Sequence, residues 1–249
     1  MKNEASICFS FDLDWAPEPL LDELGQLLDT YRLRATIFCT HKSPAVERLV
    51  ARPCCETGIH PNFVGASQPE QAVIAELTAL FPSAHGVRNH RLYYHSGLLG
   101  LLRRAGLTYL SNDLQFLQPG LAAHYDWGGL ARLPIYWEDD VHCLYFDDNF
   151  TLDALALDTP GLKVLSFHPV HLWLNTRDMA GYEQVKAQVK RGEQLERLRL
   201  AGRGIRTLFE QVARQASAFP LVTLGELAAR LQSAAPYRGQ LRVGDGHGG

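Results

Sequence analysis

The chain has 249 residues, 46% of them hydrophobic and 20% charged, and a formal net charge of −3. This is the composition of an ordinary globular protein. A slight negative charge gives no electrostatic footprint for nucleic acid or for an anionic membrane surface. No apolar run is long enough to cross a bilayer, and Met1-Lys2-Asn3-Glu4 leads straight into a strand-like run without a secretory signal. Five cysteines are present, an odd number, and Cys8, Cys39 and Cys143 lie in or beside apolar runs. That usage fits buried thiols in a reducing compartment, so a cytoplasmic location is expected. The adjacent Cys54 and Cys55 lack the C-x-x-C spacing of a zinc knuckle.

In chain order, Ile7-Cys8-Phe9 reads as a first strand, and apolar residues at 20, 21, 24, 27 and 28 have helical spacing. Residues 34–39 predict a second strand, 44–51 a helix and 55–59 a short strand. A helix follows over 69–81, with Pro69 at a permitted early position, and 85–90 is another strand end. Residues 96–105 predict a helix and 107–110 a strand. The repeated β-α pattern with short connections predicts an α/β fold with a parallel sheet or barrel. From 118 to 150 helix is scarce, and 130–137 and 141–146 predict strands near a barrel rim. Residues 163–168 return to a buried strand, and helices are expected over 182–200 and 205–216. An extended segment over 219–223 and a helix over 225–231 complete one domain over 1–235. The Gly-rich tail, 236–249, is expected to be mobile.

Four strand ends far apart in sequence carry reactive side chains: Asp12 and Asp14, His60, Arg88 and His90, and His168. In α/β barrels, sites form at the C-terminal ends of strands. Asp12 and Asp14 are two residues apart, so strand alternation would point both the same way. Paired carboxylates need a cation or donors between them. Carboxylate and imidazole ligands suit zinc or another first-row divalent ion. The spare carboxylate, arginine and histidine supply a base and an acid for metal-assisted hydrolysis. Trp137 and Trp173 are candidates to stack on a sugar face, and His171 either orients His168 or adds to the pocket. The acidic run Glu138, Asp139, Asp140, with Asp147 and Asp148, reads as a solvated turn.

The order of these segments resembles the polysaccharide deacetylase (NodB-homology, carbohydrate esterase family 4) superfamily, from about Ile7 to His171. Phe9-Ser10-Phe11-Asp12-Leu13-Asp14 is similar to its first motif, Glu56-Thr57-Gly58-Ile59-His60 to its second, Gly86-Val87-Arg88 to its third and Val164-Leu165-Ser166-Phe167-His168 to its last. The segments at His60-Pro61-Asn62-Phe63 and Phe167-His168-Pro169-Val170-His171 most resemble the branch found with surface-polysaccharide (O-antigen) gene clusters.

The resemblance implies a distorted (β/α) barrel that removes acetyl groups from N-acetylated sugars or polysaccharide precursors with a divalent metal, expected to be zinc. It implies that Asp12 is the base, Arg88 its holder and His168 the acid, with Asp14 and His60 as metal ligands. The family's second motif carries a further histidine four residues after the first, where this chain has Val64. A third ligand must then come from elsewhere. His90 is the first choice and Asn62, through its side-chain oxygen, the second; alternatively, both only line the sugar pocket. Two rival functions are a non-catalytic carbohydrate-binding protein and an allantoinase-like hydrolase of a non-sugar amide.

Overall fold

A computed structural model describes residues 6–146 and 149–239. Its first strand, β1 (Ser6–Asp12), is buried along almost its whole length, as a central strand covered on both faces must be. The chain continues through α1 (Glu18–Tyr31), β2 (Ala35–Cys39), α2 (Pro44–Val50), β3 (Cys55–Ile59), α3 (Glu70–Leu80) and β4 (Gly86–Val87). Next come α4 (Leu98–Arg104), β5 (Tyr109–Leu110), β6 (His124–Tyr125), β7 (Ala131–Arg132) and β8 (Trp137–Glu138). The remaining elements are α5 (Asp139–Tyr145), β9 (Leu162–Phe167), α6 (Pro169–Leu174), α7 (Met179–Lys190), α8 (Leu195–Leu198), α9 (Ile205–Gln215) and α10 (Leu224–Ala234).

Among the described residues the strands form one sheet in the order β6-β7-β5-β4-β3-β2-β1-β9-β8, parallel except for the β6–β7 pair. The sheet curls as a half-barrel with helices packed outside it, which is the expected α/β, distorted-barrel class. Parallel registers such as Phe9↔Ala35 and Phe9↔Leu165 align the strands' C-terminal ends on one face. Phe9, Phe11 and Phe167 pack against Phe209 of α9, with Phe9 and Phe209 edge to face at 6.0 Å. At the opposite face, Glu56 ties the closing helix to the sheet. Its carboxylate accepts from Thr36 Oγ1 (2.9 Å), Tyr109 Oη (2.8 Å) and the Gly225 backbone N–H at the start of α10 (2.8 Å).

Two expectations change, and the extended segment at 219–223 is found as expected. Residues 141–145 of the strand expected over 141–146 lie in helix α5, and Phe146 follows it in extended conformation: Asp139 and Asp140 occupy the helix's first turn, where carboxylates complement the helix dipole. The helix expected over 182–200 breaks into α7 and α8, with Gly192 between them at φ +68°. The extended segment at 219–223 makes only a bridge, Ile7↔Leu221, among the described residues. Of the expected tail, residues 240–249 lie outside the described residues. Tyr237 is docked, its hydroxyl donating to the Trp127 carbonyl at 2.5 Å.

Candidate active site

The strand ends are pinned by backbone bonds that continue each ladder one residue past the strand. His60 N–H donates to Cys39 O (2.8 Å), Arg88 N–H to Ile59 O (3.1 Å) and Ser111 N–H to Val87 O (3.0 Å). His60, Arg88 and Ser111 are therefore as fixed as the sheet. His90 is tied one step further out, by its N–H to Pro61 O at 2.9 Å.

Arg88 is fully buried, and each of its three guanidinium nitrogens is paired. Its Nη1 donates to Asp12 Oδ1 (2.9 Å), Ser10 Oγ (3.0 Å) and Ser166 Oγ (2.8 Å), while Nε and Nη2 donate to the carbonyl and hydroxyl of Ser111, both at 2.9 Å. The guanidinium stacks 4.5 Å from the Phe38 ring centre. A charge buried this way requires its ion pair, and Asp12, only 2% exposed, supplies it.

Asp14 lies beyond the end of β1 in a left-handed turn, φ +46°. The strand-alternation argument for a shared direction therefore does not apply, and the two carboxylates serve different partners. Asp14 Oδ1 is 3.0 Å from His90 Nδ1 and 3.2 Å from His60 Nε2. Thr40 Oγ1 donates to the Asp14 carbonyl, which holds the turn. A non-glycine residue in this conformation costs energy and marks a constrained site. Burial alone would raise the Asp14 pKa, but the adjacent His60 and His90 imidazoles take it well below the carboxylate range. His60 is 2% exposed, and neither ring nitrogen makes a well-formed hydrogen bond among the described residues. One buried imidazole nitrogen of His60, Nε2, stands 3.2 Å from the Asp14 carboxylate, and with His90 the three side chains cluster as the donor set of a divalent cation.

On the other side stands His168, the residue before α6. Asp139, fully buried, accepts from both its ring and its backbone: Oδ1 is 2.6 Å from Nδ1, and Oδ2 is 2.7 Å from N–H. Burial alone would lower the His168 pKa. The Asp139 carboxylate reverses this and holds it well above the ordinary imidazole value. The free Nε2 lies 4.0 Å from Asp14 Oδ2, so it faces the cation ligands. Glu138, Asp12 and His168 have ligand atoms within 4.8 Å of one another. Burial, and then the charge of Asp140, push the Glu138 carboxyl up to about 8.

The remaining candidates fall elsewhere. Asn62 is exposed and turns its Oδ1 back to accept from Val64 N–H at 3.0 Å, so it does not join the cluster. Trp137 is corrected: it is completely buried, donates Nε1–H to His142 Nδ1 at 3.2 Å, and presents no face to a sugar. Trp173 is half-buried with Arg199 stacked 4.2 Å from its ring, and lines a separate cleft of about 470 Å³ with Pro19 and residues 194–197. His171 does not hold His168. Its Nδ1 is 3.0 Å from Thr176 Oγ1, its ring stands edge-on to His168, and burial with the His168 charge takes its pKa down to about 3. The solvated-turn reading of the acidic run is also corrected, because Glu138 and Asp139 are buried and Asp139 holds His168. Asp147 and Asp148 lie outside the described residues. Sequence did hold one signal for Asp139: three consecutive acids directly after the apolar run ending in Trp137, at another strand end.

The fold and these side chains meet in one family. The sequence model of the WbmS-like polysaccharide deacetylases matches residues 9–186, and the chain belongs to that family. A crystal structure from Bordetella bronchiseptica, described as a polysaccharide deacetylase involved in O-antigen biosynthesis, is 30% identical, with a TM-score of 0.78 over 86% of this chain and 91% of that one. A polysaccharide deacetylase structure from Mycobacterium smegmatis is 19% identical with a TM-score of 0.57, covering 96% and 94%; it shares the fold. No curated protein sequence matches. Among the described residues no helix is long and apolar enough to cross a membrane.

Proposed function

We propose that the chain is a divalent-cation-dependent hydrolase that removes the acetyl group from an N-acetylated sugar in a surface-polysaccharide precursor. It is proposed to work in the cytoplasm with zinc as the ion. The observation that carries this reading is the Asp14–His60–His90 donor set standing between a base held by an arginine and an imidazole held by a carboxylate. The O-antigen role described for the Bordetella bronchiseptica relative supports the substrate class. His90 takes the ligand place that Val64 cannot fill.

When bound by Asp14, His60 and His90, the ion would supply Lewis acidity toward the acetyl carbonyl and toward water. Asp12, oriented by Arg88 through Oδ1, keeps its second oxygen for a water proton. His168, fixed at Nδ1 by Asp139, gives its Nε2 proton to the departing amine, and the C–N bond breaks as that N–H bond forms. Burial of Asp12 and His168 excludes bulk water from both proton transfers.

The test is acetate release from a panel of N-acetyl amino sugars by the zinc-loaded protein, against Asp12→Asn. Release that the substitution abolishes supports the reading. Release that persists with the fold intact refutes the base. Tight sugar binding with no release by the wild type puts the non-catalytic carbohydrate-binding rival in its place.

A further inference from the structure

The cleft at Trp173 has no part in the reaction so far. Its volume of about 470 Å³ falls within the roughly 300–1,000 Å³ of small-molecule sites. Such sites join apolar walls to a few polar groups. Here Pro19, Trp173 and Leu195 are the walls, and Gln194, Glu196 and Arg197 are the polar groups. The indole is fixed before any ligand arrives. Arg199 stacks 4.2 Å from its ring, its Nε1 donates to the Leu195 carbonyl at 3.3 Å, and Arg199 Nε donates to the Trp173 carbonyl at 3.0 Å. Arg199 is itself anchored to Glu23 of α1 at 2.6 Å. An aromatic side chain already held in place gives up little rotamer freedom on binding.

The walls of this cleft lead out of the catalytic face. Pro19 lies five residues after Asp14, a chain distance of at most about 18 Å. Trp173 lies five residues after His168, roughly 7.5 Å along the axis of α6. Helix α7 joins the two places. Its Tyr182 ring centre stands 4.7 Å from that of His171, and at its other end Lys190 Nζ lies 4.6 Å from the ring centre of Trp15, the residue after Asp14. The chain then turns at Gly192, φ +68°, and Gln194, φ +49°, into α8, whose Leu195, Glu196 and Arg197 line the cleft. The elements that frame the cleft are therefore those that leave the cation ligands and the acid.

We propose that this cleft is a distal subsite: it holds a sugar unit of the same substrate beyond the one that loses its acetyl group, with Trp173 against the sugar's apolar face. A sugar ring presents C–H groups on its face and hydroxyls at its rim. An indole suits the first, and Gln194, Glu196 and Arg197 supply donors and acceptors for the second. Glu196 and Arg197 carry opposite charges, so the lining favours an uncharged sugar. The substrate is then a chain of at least two sugars, and a free monosaccharide is a poor one. The subsite rests on the deacetylase reading for its purpose, but its capacity to bind a sugar does not.

Two measurements separate the subsite from that reading. In the zinc-loaded protein, kcat/KM for acetate release is compared between N-acetylglucosamine and its tetramer. The wild type is expected to favour the tetramer about tenfold or more, and Trp173→Ala to cut that ratio about tenfold. Trp173→Phe should restore most of it. Arg197→Ala, at an exposed position that folding does not need, should cut it about threefold. A structural defect lowers both substrates together, so an unchanged ratio in either folded variant, or a wild type without preference for the tetramer, overturns the subsite while acetate release still supports the deacetylase. In the chelated protein, titration calorimetry reads binding of the tetramer without turnover. Trp173→Ala is expected to weaken it about tenfold; no binding by the wild type, or equal binding by the variant, overturns the subsite. Binding that depends on Trp173, together with no acetate release by the wild type, retains the subsite and rejects the deacetylase.

Discussion

Asp139→Asn tests how His168 is made into an acid. Asp139 is fully buried, and its two oxygens accept at 2.6 and 2.7 Å from the ring and backbone of the same histidine. An asparagine keeps the shape but has one accepting oxygen. If that oxygen retains the backbone N–H, the amide donates to Nδ1 and the ring loses its imidazolium form. Hydrogen bonds to charged groups are worth about 1.5–3 kcal/mol each. Breaking a buried ion pair costs about 3–5 kcal/mol when the orphaned charge must stay. Here the imidazole escapes by losing its proton, so the expected loss is nearer 2–3 kcal/mol at pH 6. Urea unfolding at pH 6 measures it. NMR titration of the chelated protein should find the His168 pKa shifted downward, because burial, which lowers it, is no longer outweighed by Asp139. Deacetylation should fall about 100-fold or more, the usual worth of a general acid. A folded variant with kcat within threefold of wild type refutes Asp139 as the group that sets His168.

Metal analysis of protein purified without added metal, followed by zinc titration, should separate the two candidate third ligands. His90→Ala should weaken zinc by more than about 100-fold, beyond the range for an outer partner, and Asn62→Ala should leave it unchanged. His171 gives a pH-dependent stability. Its folded-state pKa is about 3 against an ordinary 6.5. The unfolded chain therefore binds more protons between those values, and the contribution is complete above pH 6.5 and lost as pH falls. Between pH 6.5 and 5 the chelated protein should lose about 2 kcal/mol through this residue, and His171→Gln should flatten that part of the urea-derived profile. In Gly86→Ala the new Cβ would lie 1.8 Å from Tyr109 Cζ. Tyr109 is buried and bonded to Glu56 and has no room to retreat, so a loss of about 3 kcal/mol is expected from the urea midpoint.

The α/β pattern and the strand ends that meet were legible because each depends on local chemistry. Apolar periodicity fixes the elements, and a polar residue directly after a buried run fixes a C-terminal strand end. Asp12, His60, Arg88 and His168 are all of that kind. Partners made by tertiary approach were less legible. Asp139 looked like part of a charged turn, because one sequence does not say that α5 packs its first turn beneath His168. Trp137 looked amphipathic, but its N–H is satisfied inside the core by His142. The segment 141–146 has strand-like composition, and the helical state of residues 141–145 follows from two acids at the start of α5 and from packing of His142 and Cys143. Asp14 shows a correct residue reached through the wrong geometry: a left-handed turn, and not strand alternation, brings it to the two histidines.

The knot that Glu56 ties between β3, Tyr109 and α10 also bears on how the chain is made. At typical synthesis rates a ribosome takes roughly 10–30 s to pass from Glu56 to the start of α10. During that interval the sheet can assemble, but the carboxylate holds only the Thr36 and Tyr109 hydroxyls and lacks the Gly225 amide. Arrival of the Leu224 and Gly225 amides, one to Thr36 Oγ1 at 3.0 Å and the other to Glu56 Oε2 at 2.8 Å, is the latch of a late translational event.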